Sequence, residues 1–248
     1  MIQVDNVKKQ IGDQKILRGV NFEVKQGSIT TLIGRSGAGK SLLLRHLIGL
    51  TQPDSGHIII NGIDIVGLGT AALNKIRRQF GVLFQDGALF DSMSVLENVA
   101  FPLREHTHLA ENEILEQASQ KLNQVGLVRH GNKYPSDLSG GMRKRVGLAR
   151  ALALAPDIVF FDEPTSGLDP VTRGAIYRLI ENTHTDGEIT YFLVSHDISG
   201  VMAISDEIMM LHQGKIIAHG TPDSFKTSLD PVVRQFLLGS PDGPMAID

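Results

Sequence analysis

A chain of 248 residues with a formal net charge of −3 and no cysteine is long enough to bury one α/β core, and its lack of thiols removes disulfides, thiolate zinc sites and cysteine nucleophiles. Its lysines and arginines are dispersed rather than clustered, which argues against a nucleic-acid footprint. The opening residues lack the apolar core of a signal peptide, and no run approaches the roughly 18 apolar residues of a spanning helix, so a chain soluble by itself is expected.

From Ile2 to Val24 apolar and polar residues alternate, which predicts antiparallel strands joined at Gly12-Asp13. An apolar strand follows at Ile29 to Ile33, then Gly34-Arg35-Ser36-Gly37-Ala38-Gly39-Lys40-Ser41, then a helical run from Leu42 to Ile48. That order of strand, Gly-x-x-x-x-Gly-Lys-Ser and helix is a phosphate-binding loop. Only a backbone without side chains can curl its N–H groups around a triphosphate, which Gly34, Gly37 and Gly39 allow. Lys40 then places a charge on the β- and γ-phosphates, and the Ser41 hydroxyl is a ligand for Mg²⁺. The helix adds the partial positive charge of its N-terminus.

Pro53 to Gly56 predicts a turn, His57 to Gly62 a strand, Leu73 to Arg78 a short basic helix, and Phe80 to Phe84 a buried strand that delivers Gln85 at its end. The pattern then becomes helical, with helices expected at 95–99, 111–125 and 140–154. Ile158 to Phe161 and Ile189 to Val194 are continuous apolar runs of a parallel sheet buried on both faces, with a helix from Val171 to Thr183 between them. A hairpin around Gln213-Gly214, a short helix and a Pro/Gly-containing tail complete the chain. The fold expected is therefore α/β: a P-loop NTPase core over 1–85 and 156–228 with an N-terminal antiparallel β segment, an inserted helical subdomain over 86–155, and a tail over 229–248.

Asp162 and Glu163 close the first apolar run, where ligand sites of α/β sheets form. Asp162 would hold Mg²⁺ directly or through water, and Glu163 would act as general base on the attacking water. Two acids at a strand end are common in isolation; their meaning here comes from the phosphate loop. Leu138-Ser139-Gly140-Gly141-Met142 precedes a basic helix that begins Arg143-Lys144-Arg145. By itself this is a capped helix, but beside a phosphate loop it suggests one nucleotide held by two surfaces.

The succession of phosphate loop, Gln85, signature segment 138–142, Asp162-Glu163, Ser166-Gly167-Leu168-Asp169 and His196 resembles the ATP-binding subunits of ABC transporters over essentially the whole chain. The resemblance implies ATP and Mg²⁺ as ligands and two copies packed head to tail, with Ser139, Gly140 and Gly141 of one facing the γ-phosphate bound by the other. It also implies that Gln85 senses Mg²⁺ and water and relays the state to a membrane partner, that Asp169 crosses the dimer interface, and that His196 contacts the γ-phosphate. The other eight histidines show no metal-binding arrangement and are expected at the surface. Two departures stand out: Ile11 occupies the place of the family's adenine-stacking aromatic, and Met142 the place of a common glutamine.

Residues 83–90, 100–107 and 230–237 further resemble the ATPases of bacterial Mla phospholipid-transport systems. This implies an inner-membrane permease, a periplasmic lipid-binding subunit, a small cytoplasmic accessory subunit, a location on the cytoplasmic face of the inner membrane, and a tail that braces the paired copy. Competing expectations are an importer ATPase for a small polar solute, a soluble ABC-type ATPase on DNA or ribosomes, and a P-loop kinase or GTPase. Too few residues separate Gln85 from Leu138 for the long coiled coil of the soluble machines, and the signature segment has no task in a kinase.

Overall fold

The computed structural model describes residues 1–184 and 189–245. Packing divides the chain into two compact units, one of 1–69 with 192–248 and one of 70–191.

In the first unit, β1 (Ile2–Ile11) and β2 (Gln14–Val24) form the expected hairpin, with Ile2, Val4, Val7, Val20, Phe22 and Val24 turned inward. Then come β3 (Ile29–Ile33), buried at every residue, and α1 (Lys40–Leu47), whose Leu43, Leu44 and Leu47 face the core. With β4 (Ser55–Ile60) and β5 (Ile63–Asp64) the hairpin makes an antiparallel sheet ordered β2-β1-β4-β5.

The second unit begins with α2 (Thr70–Arg77) and β6 (Phe80–Leu83). Alternation of half-buried and buried residues makes β6 less enclosed than its apolar sequence predicts. Next, α3 (Val95–His106) is longer than the expected 95–99 because it runs on past Pro102. A capping box between Ser94 and Glu97 starts it, and the fully buried Asn98 side chain donates to the carbonyls of Phe90, Met93 and Ser94, fixing the loop before it. Behind it come α4 (Glu111–Gln124) and α5 (Gly140–Ala151). The last helix packs closely on β6, so that a Cβ on Gly81 would lie 2.3 Å from the Ala151 carbonyl. The strand β7 (Ile158–Asp162) pairs parallel with β6 from Phe80 opposite Ile158 to Leu83 opposite Phe161. After α6 (Pro170–Thr183), the strand β8 (Thr190–Val194) starts in this unit beside β7 and ends in the first.

Back in the first unit, α7 (Ile198–Ile204) leads to β9 (Glu207–His212) and β10 (Lys215–Gly220). Here β9 lies between β10 and β3, pairing parallel with β3 from Thr30 opposite Glu207 to Ile33 opposite Met210. Gln213 and Gly214 turn the β9–β10 hairpin with φ of 46° and 76°, the two left-handed residues of a tight hairpin turn. Two short helices follow, α8 (Pro222–Lys226) and α9 (Pro231–Leu238). Neither α7 nor α8 is legible as periodicity, because each spans two turns or fewer; caps by Asp197 and Thr221 start them. Gly239, at φ 61°, stops α9. Gln235, 5% exposed, then donates to the carbonyls of Ser240 and Met245 and accepts from the Met245 N–H at 2.7 Å. The tail through Met245 thus closes on its own helix; residues 246–248, the end of the tail expected to brace a second copy, lie outside the described residues.

Candidate functional site

In the first unit the phosphate loop leaves β3 at Gly34, whose φ of 153° and close approach to Leu211 leave no room for a side chain: a Cβ would stand 2.4 Å from the Leu211 carbonyl oxygen. Lys40, 7% exposed, turns back over the loop and donates from Nζ to the carbonyls of Gly34 at 2.8 Å and Arg35 at 3.0 Å. Its charge is therefore poised above the loop that the sequence motif marks. Gly39 enters α1 in the left-handed conformation, and no side chain caps that helix. Ile16 and Leu17 line the back of Gly39, and Ile11 is 57% exposed. The Ser195 N–H donates to the Leu32 carbonyl at 3.1 Å, which brings the end of β8 alongside the end of β3. So His196, exposed, follows a strand end next to the one that launches the loop.

Not all of the remaining histidines lie at the surface, as the sequence led one to expect. His46 is 1% exposed, its Nδ1 against the Thr51 carbonyl at 3.0 Å and the Thr51 hydroxyl at 2.9 Å, and burial pushes its pKa down. The signal was present: His46 lies one turn from Leu43 on the face that α1 buries.

In the second unit Asp162 ends β7 half-buried, and Glu163 follows with φ 51°, a left-handed conformation unusual for a glutamate. The turn continues to Ser166, whose N–H donates to the Glu163 carbonyl at 3.1 Å. Gln85 reaches the same turn, donating from Nε2 to the Ser166 hydroxyl at 3.3 Å. Arg150 braces the loop after Gln85 by donating to the Gly87 and Ala88 carbonyls, both at 2.8 Å. Asp169 caps α6, accepting from the N–H groups of Val171 and Thr172 at 3.0 Å each. The Thr172 hydroxyl and these N–H groups hold its carboxyl below the usual range. Ser139 caps α5 through the Met142 N–H at 3.3 Å, and Gly141 is pressed against Thr172.

The fold thus brings Gln85, Glu163 and the Ser166 turn together within one unit, and the phosphate loop and His196 within the other. The sequence assigns no separate role to Lys144 or Arg150, yet Lys144 is 4% exposed and Arg150 holds the loop after Gln85. Among the described residues no three His, Asp or Glu side chains gather to hold a metal. The side chains of Ser41, Asp162 and Gln85, expected to hold Mg²⁺, each offer the kind of hard oxygen donor that this ion prefers. No helix among the described residues is long and apolar enough to cross a membrane.

Residues 17–166 match the ABC transporter family. The chain is 44% identical over 245 residues, 99% of its length and 93% of the relative's, to the intermembrane phospholipid transport system ATP-binding protein MlaF of Haemophilus influenzae. It is likewise 44% identical over 246 residues to a Mycobacterium leprae ATP-binding protein, mkl, named for ribonucleotide transport, covering 99% of this chain and 71% of that protein. Among solved structures, the dimeric ATP-binding cassette MJ0796, in a post-hydrolysis state with ADP and Pi, superposes with a TM-score of 0.82 at 32% identity over 90% of this chain and 99% of that one.

Proposed function

The chain belongs to the ABC transporter ATP-binding family and hydrolyses ATP, and from that premise we propose that it drives an inner-membrane permease moving phospholipid between inner and outer membranes. The observation that carries the lipid assignment is length. Two relatives named for different cargoes share the same identity with this chain, but the phospholipid-transport protein is matched over 93% of its own length and the ribonucleotide-transport protein over 71%. In this reading the chain lies on the cytoplasmic face of the bacterial inner membrane with a permease, a periplasmic lipid-binding subunit and a small cytoplasmic accessory subunit.

The residues divide the work as follows. Lys40 exchanges its hold on the Gly34 and Arg35 carbonyls for the β- and γ-phosphate oxygens, a trade of neutral for charge-assisted hydrogen bonds. The uncapped start of α1 receives the phosphates. Ser41, Asp162 and Gln85 would hold Mg²⁺, which when bound neutralises charge on the β- and γ-oxygens. Glu163 takes the proton from the attacking water, and His196 steadies the γ-phosphate. A second copy, head to tail, presents Ser139, Gly140 and Gly141 to that phosphate and meets the first across Asp169. ATP thereby becomes the bond between the two copies, and its hydrolysis releases them.

The test is to purify the chain with its native membrane partners and identify what they carry by mass spectrometry. Bound phospholipid supports the proposal. A nucleotide or small polar solute in its place, with a permease free of lipid, overturns it.

A further inference from the structure

Lys144 has no part in the roles assigned above, yet its placement is among the most constrained in the second unit. It is on the second turn of α5, 4% exposed, and its Nζ donates to the Ser166 carbonyl at 2.7 Å and the Glu163 carbonyl at 3.3 Å. Burial lowers its pKa, with the charges of Asp86 and Glu163 opposing that shift. An ammonium taken out of water is costly unless it is well bonded, so a lysine at this position needs a compensating task. The two carbonyls it holds bracket the turn that carries Glu163 in its left-handed conformation. Gln85 holds the same turn from the other side through the Ser166 hydroxyl. Left-handed backbone at a glutamate is strained and persists only where surrounding bonds impose it.

We propose that Lys144 is a positioning residue for hydrolysis: by clamping the carbonyls of Glu163 and Ser166 it fixes the turn that aims the Glu163 carboxylate, and so ties α5 to the hydrolytic carboxylate of its own chain. The inference rests on the reading of Glu163 as general base. If α5 also faces the ATP of the second copy, one helix reports on one site while it sets the base of the other. A neutral side chain without donors at 144 leaves the turn free to relax toward right-handed backbone, and a displacement of about 1 Å in a catalytic group costs on the order of 100-fold in rate.

The experiment compares Lys144→Met, Lys144→Gln and Glu163→Gln, singly and combined, in the complex purified with its membrane partners, measuring kcat, KM for ATP and the melting curve. Lys144→Met is expected to lower kcat by about tenfold or more while KM stays within about threefold, because binding is unaltered and only the aim of the base is lost. Lys144→Gln keeps an amide donor and retains more of the rate than Lys144→Met. Added to Glu163→Gln, either change leaves the residual rate unaltered, since a residue acting through Glu163 has nothing left to act on. A parent-like kcat in Lys144→Met, or equal fractional losses in the parent and Glu163→Gln backgrounds, overturns the clamp. Should Lys144→Met not fold, the same background comparison with Lys144→Gln decides. Parental turnover by Glu163→Gln overturns the base assignment and the inference with it; an inactive Glu163→Gln beside a fully active Lys144→Met overturns the inference alone.

Discussion

Two lysines, Lys40 on α1 and Lys144 on α5, are buried near the start of a helix in different units, and each donates to two carbonyls of a neighbouring loop. Their surroundings differ. Lys40 follows three glycines, its helix has no side-chain cap, and in the proposed function its bonds to the Gly34 and Arg35 carbonyls give way to phosphate. Lys144 follows a capped start at Ser139 and lies under a turn already bonded by Gln85, so its carbonyl bonds are the finished arrangement. The same buried ammonium chemistry thus occurs beside an uncapped helix start and beside a capped one, and the capping separates the two cases.

The largest effect that tests this contrast is Lys40→Ala. Loss of the charge over the phosphate loop should lower ATP hydrolysis by about 1,000-fold and weaken ATP binding itself, with circular dichroism unchanged. Lys144→Met should leave ATP affinity intact. Equal losses of ATP affinity in both variants would erase the distinction between a lysine that meets substrate and one that meets only backbone.

Next in size are the glycines that seat the two regions. Gly34→Ala forces a side chain at φ 153° against the rigid Leu211 carbonyl, and should cost about 2–3 kcal/mol in denaturant unfolding together with nucleotide binding. Gly147→Ala, on α5 beyond Lys144, meets the end of the Leu83 side chain at 2.6 Å and the Gly87 backbone at 3.3 Å. Because Leu83 can turn aside, the expected loss is smaller, about 1–2 kcal/mol, seen as a lower denaturation midpoint with nucleotide affinity retained. Reversal of that order would mean that the phosphate loop is the more yielding of the two.

Much of this was legible in the sequence because the signals were local. Strand, glycine loop, lysine and helix are contiguous from Ile29 to Leu47, so chain order alone positions them. Ile158 to Phe161 and Ile189 to Val194 read as buried strands because both runs are almost wholly apolar, and Gln213-Gly214 reads as a hairpin turn since it can take positive φ. His46 is polar in type yet lies inside, because its helical spacing from Leu43 sets it on the buried face of α1. The helix expected at 95–99 runs on past Pro102 to His106, its entry fixed by the buried Asn98 and its capping box.

By itself the sequence determined the phosphate loop, the acidic strand end, the capped signature helix and the order of elements, each a property of a few consecutive residues and the backbone they allow. Only the tertiary structure decided that Gln85 meets Ser166, that Lys144 holds the Glu163 turn, and that the tail through Met245 closes on Gln235. In the sequence Lys144 is one of three basic residues in a row, and nothing in that run distinguishes it. What separates it is burial against a turn roughly twenty residues further on, which α5, β7 and the close approach of Gly81 and Gly147 create by packing, and packing has no local signature.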